Sequence, residues 1–147
     1  MKTQGILHND LAKLVSRLGH GDMLAITDRG FPFPRHQYTE CIDVSVGRNL
    51  PHVVDVLEII LQELEIEKVI IANETKTMSP SIYDKFKSIL SKKKNKGNAI
   101  IEENIPHVEF KNLVLNGALE GKEVKGFVKT GEFTPYANII LVSGVDF

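Results

Sequence analysis

The strongest constraint on this chain is a repeated succession of a β-type apolar run and a helix-length amphipathic run. Residues Cys41 to Val46 alternate as a half-buried strand, and Leu50-Pro51 then leads into Val53, Val54, Val56, Leu57, Ile60, Leu61 and Leu64 at a period near 3.6. The pattern recurs at once. Lys68 to Asn73 is a continuous branched run of the kind covered on both faces, and Ser79-Pro80 opens a second amphipathic helix through Tyr83, Phe86, Ile89 and Leu90. Strands alternating with helices predict an α/β fold: three layers, a mainly parallel sheet and helices on both faces.

The flanking segments extend the same reading. Leu11, Leu14, Val15 and Leu18 follow the capping candidates Asn9 and Asp10, with Gly19 as the expected stop. Met23 to Thr27 predicts a strand that runs into Asp28-Arg29-Gly30 and a loop stiffened by Pro32 and Pro34. Residues 98–102 read as a short strand and 106–115 as a helix with His107 in its first turn. Beyond Gly117 and Gly121, residues 124–129 and 139–142 read as strands flanking the loop 130–137. Ligands of such sheets bind beyond the carboxyl ends of strands, where Asp28, Asn73-Glu74 and His107 are expected to gather.

A chain of 147 residues fits one domain, residues 1–147, with enough core to need neither disulfides nor a structural metal. Its 18 Lys and Arg nearly cancel 19 Asp and Glu, so charge favours neither nucleic acid nor an anionic membrane. No apolar run approaches a membrane span, and the expected location is the cytoplasm. Cys41 is expected to be a buried core thiol, and His8, His36 and His52 surface or structural residues. The lysines among residues 92–96 read as a solvated helix end. A Walker-type loop, a GxGxxG stretch after a strand and a metal-spaced histidine pair are all missing from the sequence.

Four features carry possible chemistry. Gly19-His20-Gly21-Asp22 places an imidazole on a turn where it either caps the preceding helix or transfers protons near neutral pH. Asp28 either starts a turn or accepts hydrogen bonds from sugar hydroxyls, and it could orient His20 if the chain brought the two together. His107 is either an exposed first-turn residue or a ligand. In Phe133-Thr134-Pro135-Tyr136-Ala137-Asn138, an aromatic hydroxyl and a carboxamide suit a polyhydroxylated ligand, with a structural loop as the alternative.

Together, Leu18-Gly19-His20-Gly21-Asp22, Asp28-x-Gly30-x-Pro32-x-Pro34, Ile42-Asp43, His107-x-x-Phe110-Lys111 and Gly131-Glu132-x-x-Pro135-Tyr136-Ala137-Asn138-Ile139 resemble the D-ribose pyranase family, which includes the L-fucose mutarotases. The likeness runs from about Gly5 to Phe147 and is greater to the ribose branch. It implies a metal-free, cofactor-free cytoplasmic isomerase that interconverts sugar ring forms. It also implies rings of subunits, pentamers or stacked decamers, with active sites at subunit contacts. By residue match, His20 is the acid/base catalyst; Asp28, His107, Lys111, Tyr136, Ala137 and Asn138 bind the monosaccharide. Alternatives are an L-fucose or other sugar mutarotase, and a non-catalytic sugar-binding subunit linked to uptake.

The chemistry suits these residue types, because opening a cyclic hemiacetal needs a proton delivered to the ring oxygen and another removed from the anomeric hydroxyl. Departures from the family pattern are Arg29, Phe33, Val108 and a longer segment over 112–125. Arg29 beside Asp28 either pairs with it or favours a more anionic sugar.

Overall fold

A computed structural model describes residues 1–35, 37–93, 99–116, 118–119 and 122–147. In chain order the elements are α1 (Asn9–Arg17), β1 (Met23–Thr27), β2 (Glu40–Asp43), α2 (Val53–Leu61), β3 (Ile66–Ala72), α3 (Asn73–Met78), α4 (Pro80–Lys92), β4 (Ile101–Ile105), α5 (His107–Asn116), β5 (Ala118–Leu119), β6 (Lys122–Lys129) and β7 (Ile139–Ser143). The sheet order is β2-β6-β1-β7-β3-β4, with the short β5 paired to β6. Strands β2, β6 and β1 run parallel, as do β3 and β4, whereas β7 lies antiparallel to both β1 and β3. The α/β class and the mainly parallel sheet expected from the sequence are both present, with one reversed strand at the centre.

Strand alternation divides the buried side chains between two cores. Leu24, Ile26, Val69, Ile71, Ile139 and Leu141 face α1, α2 and α4 in the larger one. Met23, Ala25, Ile70, Ala72, Ile140 and Val142 face α5 and Phe31 in the smaller. Because β1 and β7 are buried at every position, their sequences read as unbroken apolar runs. Among the described residues no helix is long and apolar enough to cross a membrane.

Several local expectations change. Strand β2 stops at Asp43, because the Asp43 carboxylate accepts the Ser45 N–H at 2.9 Å and turns the chain out of the ladder. Val46, expected to continue that strand, is 81% exposed. Cys41 is also exposed rather than a core thiol: the register sends Ile42 into the larger core, leaving its neighbour on the other face of an edge strand. His8, not Asn9 or Asp10, caps α1 by accepting the Leu11 N–H on Nδ1 at 3.3 Å. At the other end the chain leaves α1 at Leu18 in extended conformation, and the left-handed glycine is Gly21 (φ +83°).

Helix α3 was not expected, since only Thr75 of its six residues is buried and no apolar period announces it. Strand β4 begins at Ile101, later than the sequence suggested. In the lysine run, Lys92 ends α4, and Lys93 Nζ donates to Leu61 O at the end of α2. The rest of that run and His36 lie outside the described residues.

Candidate functional site

The carboxyl end of β1 delivers Asp28 into a depression whose far wall is the start of α5 and whose rim is the loop before β7. A cavity of about 440 Å³ opens there, lined by Asp28, Phe31, His107, Lys111, Tyr136 and Asn138. Such a volume is of the size that binds small molecules.

Asp28 and Asn138 form its floor. The Asp28 N–H donates to Asn138 Oδ1, and Asn138 Nδ2 donates back to Asp28 Oδ2, both at 2.9 Å. The other carboxylate oxygen accepts the Gly30 N–H at 2.9 Å. Burial pushes the Asp28 carboxyl above the ordinary Asp range, opposed by hydrogen bonds from Asn138, Gly30 and Phe31 and by the proximity of His107. Asp28 and Asn138 are 8% and 1% exposed, so each depends on the other for its polar partners.

His107 occupies the first turn of α5, as the sequence suggested. Its N–H donates to Glu74 Oε2 at 2.8 Å, so a carboxylate from α3 caps α5 and fixes where the imidazole stands. The ring meets that of Tyr136 edge-on, with centroids 4.9 Å apart. Its Nδ1 is buried without a hydrogen-bond partner among the described residues. A buried ring nitrogen beside an open cavity is suited to a ligand hydroxyl. Lys111 follows one helical turn later on the same face.

The loop carrying Tyr136 is held from both sides. Thr75 Oγ1 donates to Tyr136 O at 2.7 Å, and Ser79 Oγ donates to Pro135 O at 2.6 Å. Tyr136 adopts φ +59°, a conformation that costs an L-residue roughly 1 to 2 kcal/mol and that these anchors sustain. At the start of the loop, Glu132 is 2% exposed and ties the loop to the head of α2. Its Oε2 accepts from His52 Nδ1 at 2.8 Å and from the Val53 N–H at 3.3 Å, while its Oε1 accepts the Thr134 N–H. Burial raises its carboxyl, but hydrogen bonds from Thr134, His52 and Val53 outweigh this and hold it below the usual glutamate range. His52 is thus a structural partner at the head of α2.

Two expected site residues stand elsewhere. Ala137 is fully buried in the larger core rather than on the cavity wall. His20 lies at the amino end of β1, the end opposite Asp28, and five strand residues at about 3.3 Å each separate the two ends by roughly 17 Å. Asp28 therefore does not orient it; instead His20 Nε2 lies 2.8 Å from Glu67 Oε2. Arg29 lines the cavity rim but does not pair with Asp28: its guanidinium bonds Asp43 at 2.5 Å and Ser45 at 3.1 Å. Phe33 packs on Phe127 beneath the Lys129 ammonium, and Val108 is exposed.

Glu74 stands at the ligand end of the sheet, as expected from the sequence, but its cap on α5 was not foreseen; nor were the roles of Thr75 and Ser79, which anchor the loop at Tyr136 and Pro135, or of Glu132, which lines the cavity rim. Local signals were Glu74 in the Asn73-Glu74 pair after a strand and Glu132 in the Gly131-Glu132 pair.

A model of the RbsD / FucU transport protein family matches residues 1–146. D-ribose pyranases of Pseudothermotoga lettingae and Clostridium tetani are 43% and 44% identical over 147 residues, covering the whole of this chain and 94% and 100% of theirs. Bacillus subtilis RbsD complexed with D-ribose superposes with a TM-score of 0.83 at 37% identity over the full length of both chains. The Streptococcus pneumoniae fucose mutarotase complexed with L-fucose shares the fold, with a TM-score of 0.72 at 22% identity over 99% of each chain.

Proposed function

Because this chain belongs to the RbsD / FucU transport protein family, we propose that it is an isomerase interconverting the pyranose and furanose forms of D-ribose. The observation that carries this reading is the buried Asp28–Asn138 pair under an open cavity, with the unpartnered Nδ1 of His107 beside it. A carboxylate, a carboxamide and an imidazole supply both acceptors and donors for a row of hydroxyls, and the rings of Phe31 and Tyr136 suit the apolar face of a sugar. Relatives named D-ribose pyranase at about 40% identity, and a neighbour complexed with D-ribose, favour ribose over fucose.

Ring opening moves a proton from the anomeric hydroxyl to the ring oxygen, and reclosure through a different hydroxyl changes the ring size. Asp28, Asn138, His107, Lys111 and Tyr136 hold the open chain while it rotates, which lowers the entropic cost of reclosure. His20 is the acid/base group in this scheme and contributes about 10² to 10⁴-fold. Its place at the opposite end of β1 supports a cyclic homo-oligomer, a pentamer or stacked decamer, in which His20 of one copy reaches the cavity of the next. The exposed Leu7, Val46 and Leu50 are apolar surface available for such contacts. The reaction belongs in the cytoplasm, on sugar that has just been taken up.

Saturation-transfer NMR on unlabelled ribose tests the activity without a coupling enzyme. Catalysed exchange between pyranose and furanose signals is expected. Exchange with fucose alone would assign the chain to the mutarotases, and binding without exchange to the non-catalytic subunits.

A further inference from the structure

We propose that Glu67 is the positioning residue for His20, holding its imidazole in the tautomer that presents Nδ1 to the sugar. This rests on the reading of His20 as the acid/base group and adds a second residue to it. The two side chains meet at 2.8 Å across 47 residues of sequence, one from a turn and one from β3.

The backbone on both sides is shaped for this meeting. Strand β3 pairs with β7 through Ile66↔Ser143 and Lys68↔Val142, so Glu67 is the extra residue of a β-bulge. Counting back from Val69 in the larger core, strict alternation would send residue 67 into that same core. The bulge instead places Ile66 there and leaves Glu67 free to turn outward. A Cβ on Gly144 would stand 3.1 Å from the Glu67 nitrogen and 3.2 Å from the Ile66 carbonyl carbon, so the close passage beside the bulge suits a glycine.

The turn is tied to the end of β7. The Gly21 N–H donates to Ser143 O at 2.8 Å, and the Ser143 N–H donates to Asp22 O at 2.9 Å. Asp22 Oδ2 accepts the Gly19 N–H at 2.8 Å, closing the turn around His20. Both partners are therefore referenced to Ser143, one on each side.

An exposed ion pair adds little to stability, so the value of this one lies in orientation. A carboxylate only accepts, so Nε2 carries the hydrogen and Nδ1 keeps the lone pair. Nδ1 takes the proton of the anomeric hydroxyl and returns one to the ring oxygen as the C1–O ring bond breaks and the carbonyl forms. Sugar and imidazole both end with their atoms and charge balanced.

The test uses the intact assembly and Glu67→Gln, which keeps the shape and removes the charge. In the parent, long-range ¹H–¹⁵N spectra should show His20 protonated on Nε2. In Glu67→Gln that preference should be lost and ribose exchange should fall about tenfold, a fraction of what a positioned acid/base group supplies. Ribose affinity should stay within about twofold, because Glu67 is remote from the cavity of its own chain and acts only through His20. An Nδ1-protonated parent, or a Glu67→Gln variant with parental exchange and tautomer, would overturn the proposal. His20→Ala exchanging at the parental rate would instead overturn the role of His20 itself.

Discussion

Asp28 and Asn138, 110 residues apart, satisfy each other's buried polar groups through two reciprocal hydrogen bonds of 2.9 Å. Neither has another route to full satisfaction at its depth, and together they join the end of β1 to the start of β7. Removing the Asn138 side chain takes these partners from the Asp28 N–H and from Asp28 Oδ2, leaving the carboxylate only the Gly30 N–H of the bonds described. Asn138→Ala is therefore expected to cost about 1 to 3 kcal/mol of stability and to weaken ribose binding. Denaturant unfolding and ligand titration measure the two effects, and parental values in both would remove the pair from the site.

Acid should affect binding through Asp28. Its folded value lies above that of an ordinary aspartate, so the carboxylate proposed to accept sugar hydroxyls becomes protonated at a higher pH than usual. Ribose affinity should fall as the pH drops through that raised value. Asp28→Asn, weaker at every pH, should lack this acid limb; an identical limb in both proteins would assign it to another group.

For Glu132 the sign is opposite. Its carboxyl is held below the glutamate range in the folded chain, so its stabilisation is full above the unfolded value and is lost as pH falls through the folded one. Melting curves of the parent and Glu132→Gln should differ most near neutral pH and converge under acid. A gap that widened on acidification would contradict the brace.

Mixing two impaired proteins tests the shared site. If His20 of one copy serves the cavity of another, co-refolded His20→Ala and Asn138→Ala chains should regain exchange at about one quarter of the sites, the random share with both groups intact. Sites built within single chains would regain nothing. Were His107 the proton carrier, His20→Ala alone would stay active.

Gly131 separates backbone crowding from a general intolerance of alanine. A Cβ there would stand 2.5 Å from Leu50 O and 2.6 Å from Gly47 O, whereas one on Gly47 meets nothing within 4 Å. Gly131→Ala should lose about 1 to 3 kcal/mol or more and weaken sugar binding, and Gly47→Ala should be near neutral. Thermal melts of the pair decide it.

What could be read from the sequence followed from periodicity. The buried runs at β1, β3 and β7, the amphipathic helices α2 and α4, and the gathering of Asp28 and His107 at one end of the sheet were all visible because burial imposes a pattern on neighbouring residues. Reversed pairing of β7 was not, since a strand buried on both faces carries the same apolar run in either direction. Cys41 was misplaced because an edge strand of four residues ends before alternation identifies its inner face. The bonds made by Glu132, Glu74 and Thr75 were hidden for another reason. Their partners are distant in sequence, and a carboxylate bound to a main-chain N–H leaves no spacing to recognise.

Strand β7 ends at both halves of the proposed chemistry. Asn138 precedes its first residue at the cavity floor, and Ser143, its last, anchors the turn that holds His20. Its reversed direction makes this possible, by returning the chain from the sugar loop to the opposite edge of the molecule. In the ring proposed above, the strand is then a strut, linking the pocket of its own copy to the His20 that serves the cavity of the next. Catalytic centres around such a ring are joined in series by rigid members of equal length. A lesion in one β7 would accordingly disable two neighbouring centres, so activity lost on doping the assembly with damaged chains should exceed the damaged fraction.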